Sequence, residues 1–163
     1  MRAAIITISS SRGDGDTPDE SGPALAEFAR RVGADVAATE IVPDVQSKIE
    51  WALRHYADSD RCDLILTTGG TGFAPDDVTP EATRAVIERE APGIAEALRA
   101  ASREHTRKWM LSRGVAGIRG RTLIINFPGN PKSIGEAGEA IGEAIPHAVS
   151  VLRDGGGHRH DGH

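Results

Sequence analysis

Aromatic residues are scarce in this chain of 163 residues, at 4%, so any core must be built from Ile, Leu, Val and Ala. There is one cysteine, which excludes an internal disulfide and suits a reducing compartment. A basic excess is also missing. The net charge of −5 would repel the phosphates of a nucleic acid, so no such partner is expected. No apolar run approaches a membrane span, and the N-terminal MRAAIITISSS is too short for a span or a signal peptide and lacks a cleavage-type tail. Two nucleotide-binding signatures are absent as well. No Gly-Lys pair opens a helix, which rules out a P-loop, and Ser9-Ser10-Ser11-Arg12-Gly13 does not supply G-x-G-x-x-G after the first strand. These absences leave a soluble, cytoplasmic protein with one domain, residues 1–153, and a Gly/His-rich tail, residues 154–163, expected to be disordered.

What is present is concentrated in Cys62–Thr83, CDLILTTGGTGFAPDDVTPEAT. Leu64-Ile65-Leu66 reads as a buried parallel strand delivered into Thr67-Thr68-Gly69-Gly70-Thr71-Gly72. Glycines there let the backbone approach a ligand and turn consecutive N–H groups toward an anion. Asp76 and Asp77 follow, where a cation can bridge protein and phosphate. Thr79-Pro80-Glu81 then reads as a helix start, with Thr79 as the cap, Pro80 in the first turn and Glu81 on the positive end of the dipole. A glycine-rich strand-to-helix turn also serves geometry alone, so GGTG by itself decides little.

Along the rest of the chain, Ala3–Ile8 predicts a first, central strand, followed by a polar loop through Asp16. Asp19–Pro23 enters a helix, with Ser21 or Asp19 as its cap, and Leu25, Phe28, Ala29 and Val32 follow at helical spacing. Val36–Val42 is a second strand ending in Pro43-Asp44. Asp44 is placed either to cap the next helix (Val45, Ile49, Ala52, Leu53, Tyr56) or to join ligand-binding groups at the strand ends. Thr79–Glu90 and Ile94–Lys108 read as helices separated by Pro92-Gly93. Val115–Ile118 and Thr122–Phe127 form a hairpin through Arg119-Gly120-Arg121, and one last helix runs from Lys132 to Leu152. Strands alternating with helices call for a mostly parallel sheet covered on both faces. Cys62 is expected to pack. The scattered His55, His105 and His147 are expected to have surface or core roles, and the tail histidines at most to scavenge metal.

The blocks TTGGTGFAPDDVTPEAT and LSRGVAGIRGRTLIINFPGNPKS, with DESGPAL and IVPD, resemble the molybdopterin adenylyltransferases. This is the Mog-type branch of molybdenum cofactor biosynthesis, related to the gephyrin G domain and to the MoaB-type branch. The resemblance covers Met1 to Arg153 in the same order. It implies a three-layer α/β/α fold, usually trimeric and sometimes hexameric. It also implies a reaction in which molybdopterin and Mg-ATP give adenylyl-molybdopterin and pyrophosphate, the product passing to a molybdenum-insertion enzyme. By the same resemblance, Thr68, Gly69, Gly70, Thr71 and Gly72 contact the phosphorylated pterin. Asp44 and Asp77 are catalytic and hold Mg²⁺. Ser112, Pro128, Gly129, Asn130 and Pro131 line the pterin and nucleotide pocket. Asp76 departs from the basic residue often found at its position and makes the site more acidic. A non-catalytic pterin-binding scaffold of the same fold is the alternative.

Overall fold

The uninterrupted apolar runs of the sequence become the middle of a sheet because only a strand covered on both faces can bury every side chain. The computed structural model describes residues 1–10 and 19–155. In chain order its elements are β1 (Arg2–Ile8), α1 (Ser21–Arg31), β2 (Asp35–Val42), α2 (Gln46–Arg54), β3 (Leu64–Thr68), α3 (Thr79–Val86), β4 (Arg89–Glu90), α4 (Pro92–Ser102), β5 (Ala116–Arg119), β6 (Thr122–Phe127), α5 (Pro131–Ile141) and α6 (Ala144–Arg153). The six strands lie in the order β2-β1-β3-β6-β5-β4. β2, β1, β3 and β6 run parallel, and β5 and β4 extend the sheet antiparallel.

The period of two along the central strands sorts side chains onto two faces. Ala3, Ile5, Leu64, Leu66, Leu123 and Ile125 meet Leu25, Phe28, Leu98, Ile134, Ile141 and Ile145 from α1, α4, α5 and α6. Ala4, Ile6, Ile65 and Ile124 meet Ile49, Leu53, Ala82 and Val86 from α2 and α3. Each fully buried Ile or Leu contributes about 1.5–3 kcal/mol. This is the expected three-layer α/β/α architecture, with a core almost wholly aliphatic. Phe28 and Phe127, a buried aromatic pair at 5.3 Å, sit between α1 and β6. Gly138 of α5 is needed there, since a Cβ would stand 2.6 Å from the Phe28 ring. Cys62 is buried as packing, and burial pushes its thiol pKa up. No helix among the described residues is long and apolar enough to cross a membrane.

Several boundaries differ from the sequence reading. α3 stops at Val86, and the backbone extends from Ile87 into β4, which pairs with β5. The expected helix to Glu90 therefore loses its last turn to sheet pairing. α4 starts at Pro92, which occupies the first turn rather than breaking a helix, and it ends at Ser102 instead of Lys108. The expected single C-terminal helix is two. α5 ends at Ile141 and α6 begins at Ala144, because Pro146 removes an N–H and its ring opposes the carbonyl four residues earlier. Beyond α2 the chain continues as one π-helical turn, His55–Ser59, that buries Tyr56 with its hydroxyl 2.6 Å from Glu40 Oε2. The hairpin of β5 and β6 forms as expected, with Gly120 at φ +58° in its turn. Residues 11–18 of the expected polar loop and residues 156–163 of the expected tail lie outside the described residues.

Candidate functional site

Four parallel strands present their carboxyl ends along one edge, and the residues that follow β1, β2, β3 and β6 assemble there. The Gly69-Gly70 turn is possible only without side chains. Both residues have positive φ, +96° and +69°. A Cβ at Gly69 would stand 2.4 Å from the Ile8 carbonyl oxygen, and one at Gly70 would stand 2.3 Å from Thr79 Oγ1. Thr79 is not the helix cap expected of it. Its hydroxyl donates to the Gly69 carbonyl at 2.9 Å while its N–H donates to the Gly70 carbonyl at 3.1 Å, pinning the turn to the start of α3. Thr68 Oγ1 donates to the Pro128 carbonyl at 2.6 Å, and the Gly129 position lies 3.6 Å from Gly69 Cα, measured from an ideal Cβ. The β3 and β6 loops thus form one surface.

Asp44 caps nothing. The N-cap position of α2 is Val45, with no side-chain cap bond. Asp44 Oδ2 instead accepts from the N–H and the hydroxyl of Ser10, at 3.0 and 3.2 Å, and Oδ1 lies 3.4 Å from where a Gly70 Cβ would be. Asp77 reaches the same loop farther along. Its Oδ2 accepts from Ala74 N–H at 3.0 Å and would stand 2.8 Å from a Cβ on Gly72. Asp44 Oδ1 and Asp77 Oδ1 take no intramolecular hydrogen bond among the described residues, and neither do the N–H groups of Gly70, Thr71, Gly72 and Phe73. Asp76 is exposed at the rim.

One residue of the quoted motifs was passed over in the sequence reading. Arg113 donates from Nε to the Gly72 carbonyl at 2.8 Å and from Nη2 to the Asp77 carbonyl at 2.7 Å. It also forks onto Glu81 at 2.9 and 3.0 Å, and its backbone N–H bonds the Thr71 carbonyl at 2.8 Å. The hydrogen bond from Arg113 holds the Glu81 carboxyl below its ordinary range. The signal was an arginine inside the LSRG block, followed by a glycine. Ser10 and the Thr79 hydroxyl were missed as well, because each partner lies far away in sequence or in an unexpected role.

The remaining expected residues divide. Ser112 and Pro128 line a cavity of about 100 Å³ with Lys108, Trp109, Asn126 and Ser133. That volume is below the several hundred Å³ usual for a ligand cleft. Asn126, buried behind this cavity, is fully used: Nδ2 donates to Thr67 and Thr83, both at 3.0 Å, and Oδ1 accepts from Val115 N–H. Asn130 caps α5, accepting from Lys132 N–H at 3.0 Å, and Pro131 opens that helix. Asp19 Oδ1 accepts from Gly22 N–H at 2.9 Å and Oδ2 from Thr7, while the Ser21 hydroxyl donates to the Gly129 carbonyl at 2.7 Å. The start of α1 thereby steadies the β6 loop. His55 stacks on Trp51, and His105 faces Glu136, both apart from the loops just described.

A glycine turn whose N–H groups take no bond among the described residues, with Asp44 and Asp77 beside it, lies at the carboxyl edge of a parallel sheet, where open α/β proteins collect their ligand-binding groups. Residues 4–147 match the family model described as "Probable molybdopterin binding domain", and the chain belongs to that family. It is 41% identical over 154 residues to a protein named molybdopterin adenylyltransferase from Helicobacter pylori strain J99, covering 93% of this chain and 88% of the relative. It is 42% identical to the molybdenum cofactor synthesis protein cinnamon of Drosophila melanogaster, over 92% of this chain but only 25% of that longer protein. Among solved structures, the molybdopterin biosynthesis enzyme MoaB from Thermus thermophilus superposes with a TM-score of 0.87 at 47% identity, covering 93% of this chain and 95% of that one.

Proposed function

We propose that the chain is an enzyme that transfers the adenylyl group of ATP to molybdopterin, with release of pyrophosphate. The observation that carries this reading is the pairing of Asp44 and Asp77 with one glycine loop, each carboxylate keeping an oxygen without a hydrogen bond among the described residues. A scaffold that only bound the pterin would gain nothing from two carboxylates beside an anion. The H. pylori relative's name supports the same activity.

In the proposed reaction a terminal phosphate oxygen of molybdopterin bonds to the α-phosphorus of ATP, and the bond from that phosphorus to the pyrophosphate oxygen breaks. Two anions must meet. The N–H groups of Gly70 to Phe73 hold phosphate oxygens without adding a mobile charge. A phosphate monoester is already ionised, so no general base is assigned. Asp44 and Asp77 would hold Mg²⁺, a hard cation that commonly takes one or two carboxylates together with water and phosphate oxygens. Bound there, Mg²⁺ would supply charge to offset the repulsion and the charge on the leaving pyrophosphate. Ser112 and Pro128 would take an edge of the pterin at the mouth of their cavity.

Assembly as a homotrimer in the cytoplasm, with a molybdenum-insertion enzyme next in line, belongs to the same proposal. The deciding experiment incubates the chain with molybdopterin and Mg-ATP and follows pyrophosphate. Release that requires the pterin is expected. Release indifferent to the pterin, or none, would remove the reading.

A further inference from the structure

We propose that Arg113, braced by Glu81, is a positioning residue that sets the anion-facing side of the 70–77 loop and the placement of Asp77. The inference rests on the adenylyl-transfer reading for its kinetic arm only.

The argument is one of peptide geometry. A trans peptide points its C=O and N–H in opposite directions, and there is no cis peptide among the described residues. Arg113 takes the carbonyls of Thr71 and Gly72. The N–H groups in those same peptide units belong to Gly72 and Phe73, so both face away from the arginine and toward the open side of the loop. The bond to the Asp77 carbonyl fixes the other end of the segment, five residues on from Gly72. Between these anchors, Asp77 N–H reaches back to the Ala74 carbonyl and Ala74 N–H to the Asp77 carboxylate, at 2.9 and 3.0 Å. The backbone N–H of Arg113 thus sets the Gly72 donor, while its side chain sets the Phe73 donor and, through the Asp77 carbonyl, the place where the loop's carboxylate stands.

The guanidinium is suited to this because it is a planar fork. Four of its hydrogen bonds are made at once: two to Glu81 and one each to Gly72 and Asp77. An ammonium carries the same charge but cannot span a carboxylate and two separate carbonyls in one plane. Charge alone is not what the loop needs.

Arg119 offers an internal control. It forks onto Asp58 at 2.9 and 2.8 Å and donates to the Val86 carbonyl at 2.9 Å, bonding no residue of the 69–77 loop. The experiment compares R113K, R113M, E81Q and R119M by turnover per folded molecule and by amide exchange at Ala74, Asp77 and Thr79. The expected result is a fall in kcat of at least tenfold in R113K and R113M, with exchange at those amides at least tenfold faster. E81Q should fall in the same direction by a smaller factor, and R119M should keep kcat within twofold. Restoration of full kcat by the lysine, a kcat within twofold of wild type in R113M, or losses that only track the folded fraction as in R119M would overturn the proposal. If R113M does not fold, R113K and E81Q decide it. If the wild-type chain shows no pterin-dependent turnover, the functional reading fails, and the exchange arm still settles the positioning role: acceleration supports it and unchanged exchange overturns it.

Discussion

Gly70→Ala tests the loop at its tightest point. Gly70 has φ +69°, where an L-residue costs about 1–2 kcal/mol more than glycine. The added Cβ would stand 2.3 Å from Thr79 Oγ1, a contact that must relax by turning the threonine away. That gives up the 2.9 Å hydrogen bond to the Gly69 carbonyl, worth about 0.5–1.5 kcal/mol net. Together the two effects amount to about 1.5–3.5 kcal/mol. For a chain of this size each kcal/mol moves Tm by about 2–4 °C, so calorimetry should show a fall of about 3–14 °C. The methyl also approaches Asp44 Oδ1, so pyrophosphate release should fall further than the folded fraction does. Gly135→Ala is the matched control. Gly135 lies inside α5 with nothing within 4 Å of an added Cβ, and it should raise Tm by a few degrees, since alanine is favoured in a helix by up to about 1 kcal/mol. A Gly70→Ala protein that melts within about 2 °C of wild type would refute the strain assigned to this turn.

Asp44→Asn and Asp77→Asn keep shape and lose charge, so each should lower turnover by about 10²-fold or more with Tm nearly unchanged, as read by pyrophosphate release and melting; unfolding, or turnover near wild type, would contradict their assignment. Burial pushes the Asp63 carboxyl up, but hydrogen bonds from Arg153 and from Arg2 N–H outweigh it and hold the group below its ordinary range. Its stabilisation is therefore complete above the unfolded value of about 3.9 and is lost as pH falls through the lowered folded-state value, so Asp63→Asn should lower Tm at pH 7 by more than it does in acid. Deleting residues 156–163 should leave Tm within about 1 °C, because Arg153, the last residue of α6, already ties the end of the helix to Asp63; a loss of several degrees would mean that the segment packs.

The fold was legible because the signals behind it are local and redundant. Uniform burial of β1, β3 and β6 is written directly as apolar runs, and the hairpin as two short runs about a glycine. What escaped depends on distant partners. Ile87 to Glu90 carries no strand signal and becomes extended because β5 lies beside it to be paired. Thr79 reads as a cap by position, yet the N-cap is Val78 and the Thr79 hydroxyl donates to a glycine carbonyl instead. At the site, the glycines and the two aspartates stood out as residue types, and the ends of different parallel strands were bound to share an edge. Arg113 did not stand out, since nothing in the sequence says which carbonyls an arginine will meet across so long a stretch of chain.

The distribution of cations around this edge is what separates Asp44 and Asp77 from ordinary surface acids. Asp58 has Arg119, Asp63 has Arg153 and Glu81 has Arg113. Arg113 runs along the very loop that carries Asp77, and it takes that residue's backbone carbonyl while giving its charge to Glu81. Among the described residues no arginine or lysine pairs with the Asp77 carboxylate or with Asp44. Both carboxylates are held, among the described residues, by neutral donors, N–H groups and a serine hydroxyl, which fix their positions without an ion pair. Two carboxylates without an ion-pair partner among the described residues, beside open N–H groups, would repel the proposed anionic ligand unless a cation entered with it. The proposed Mg-ATP would bring that cation with it, and Arg113, within reach of the same loop, forms its ion pair with Glu81 instead.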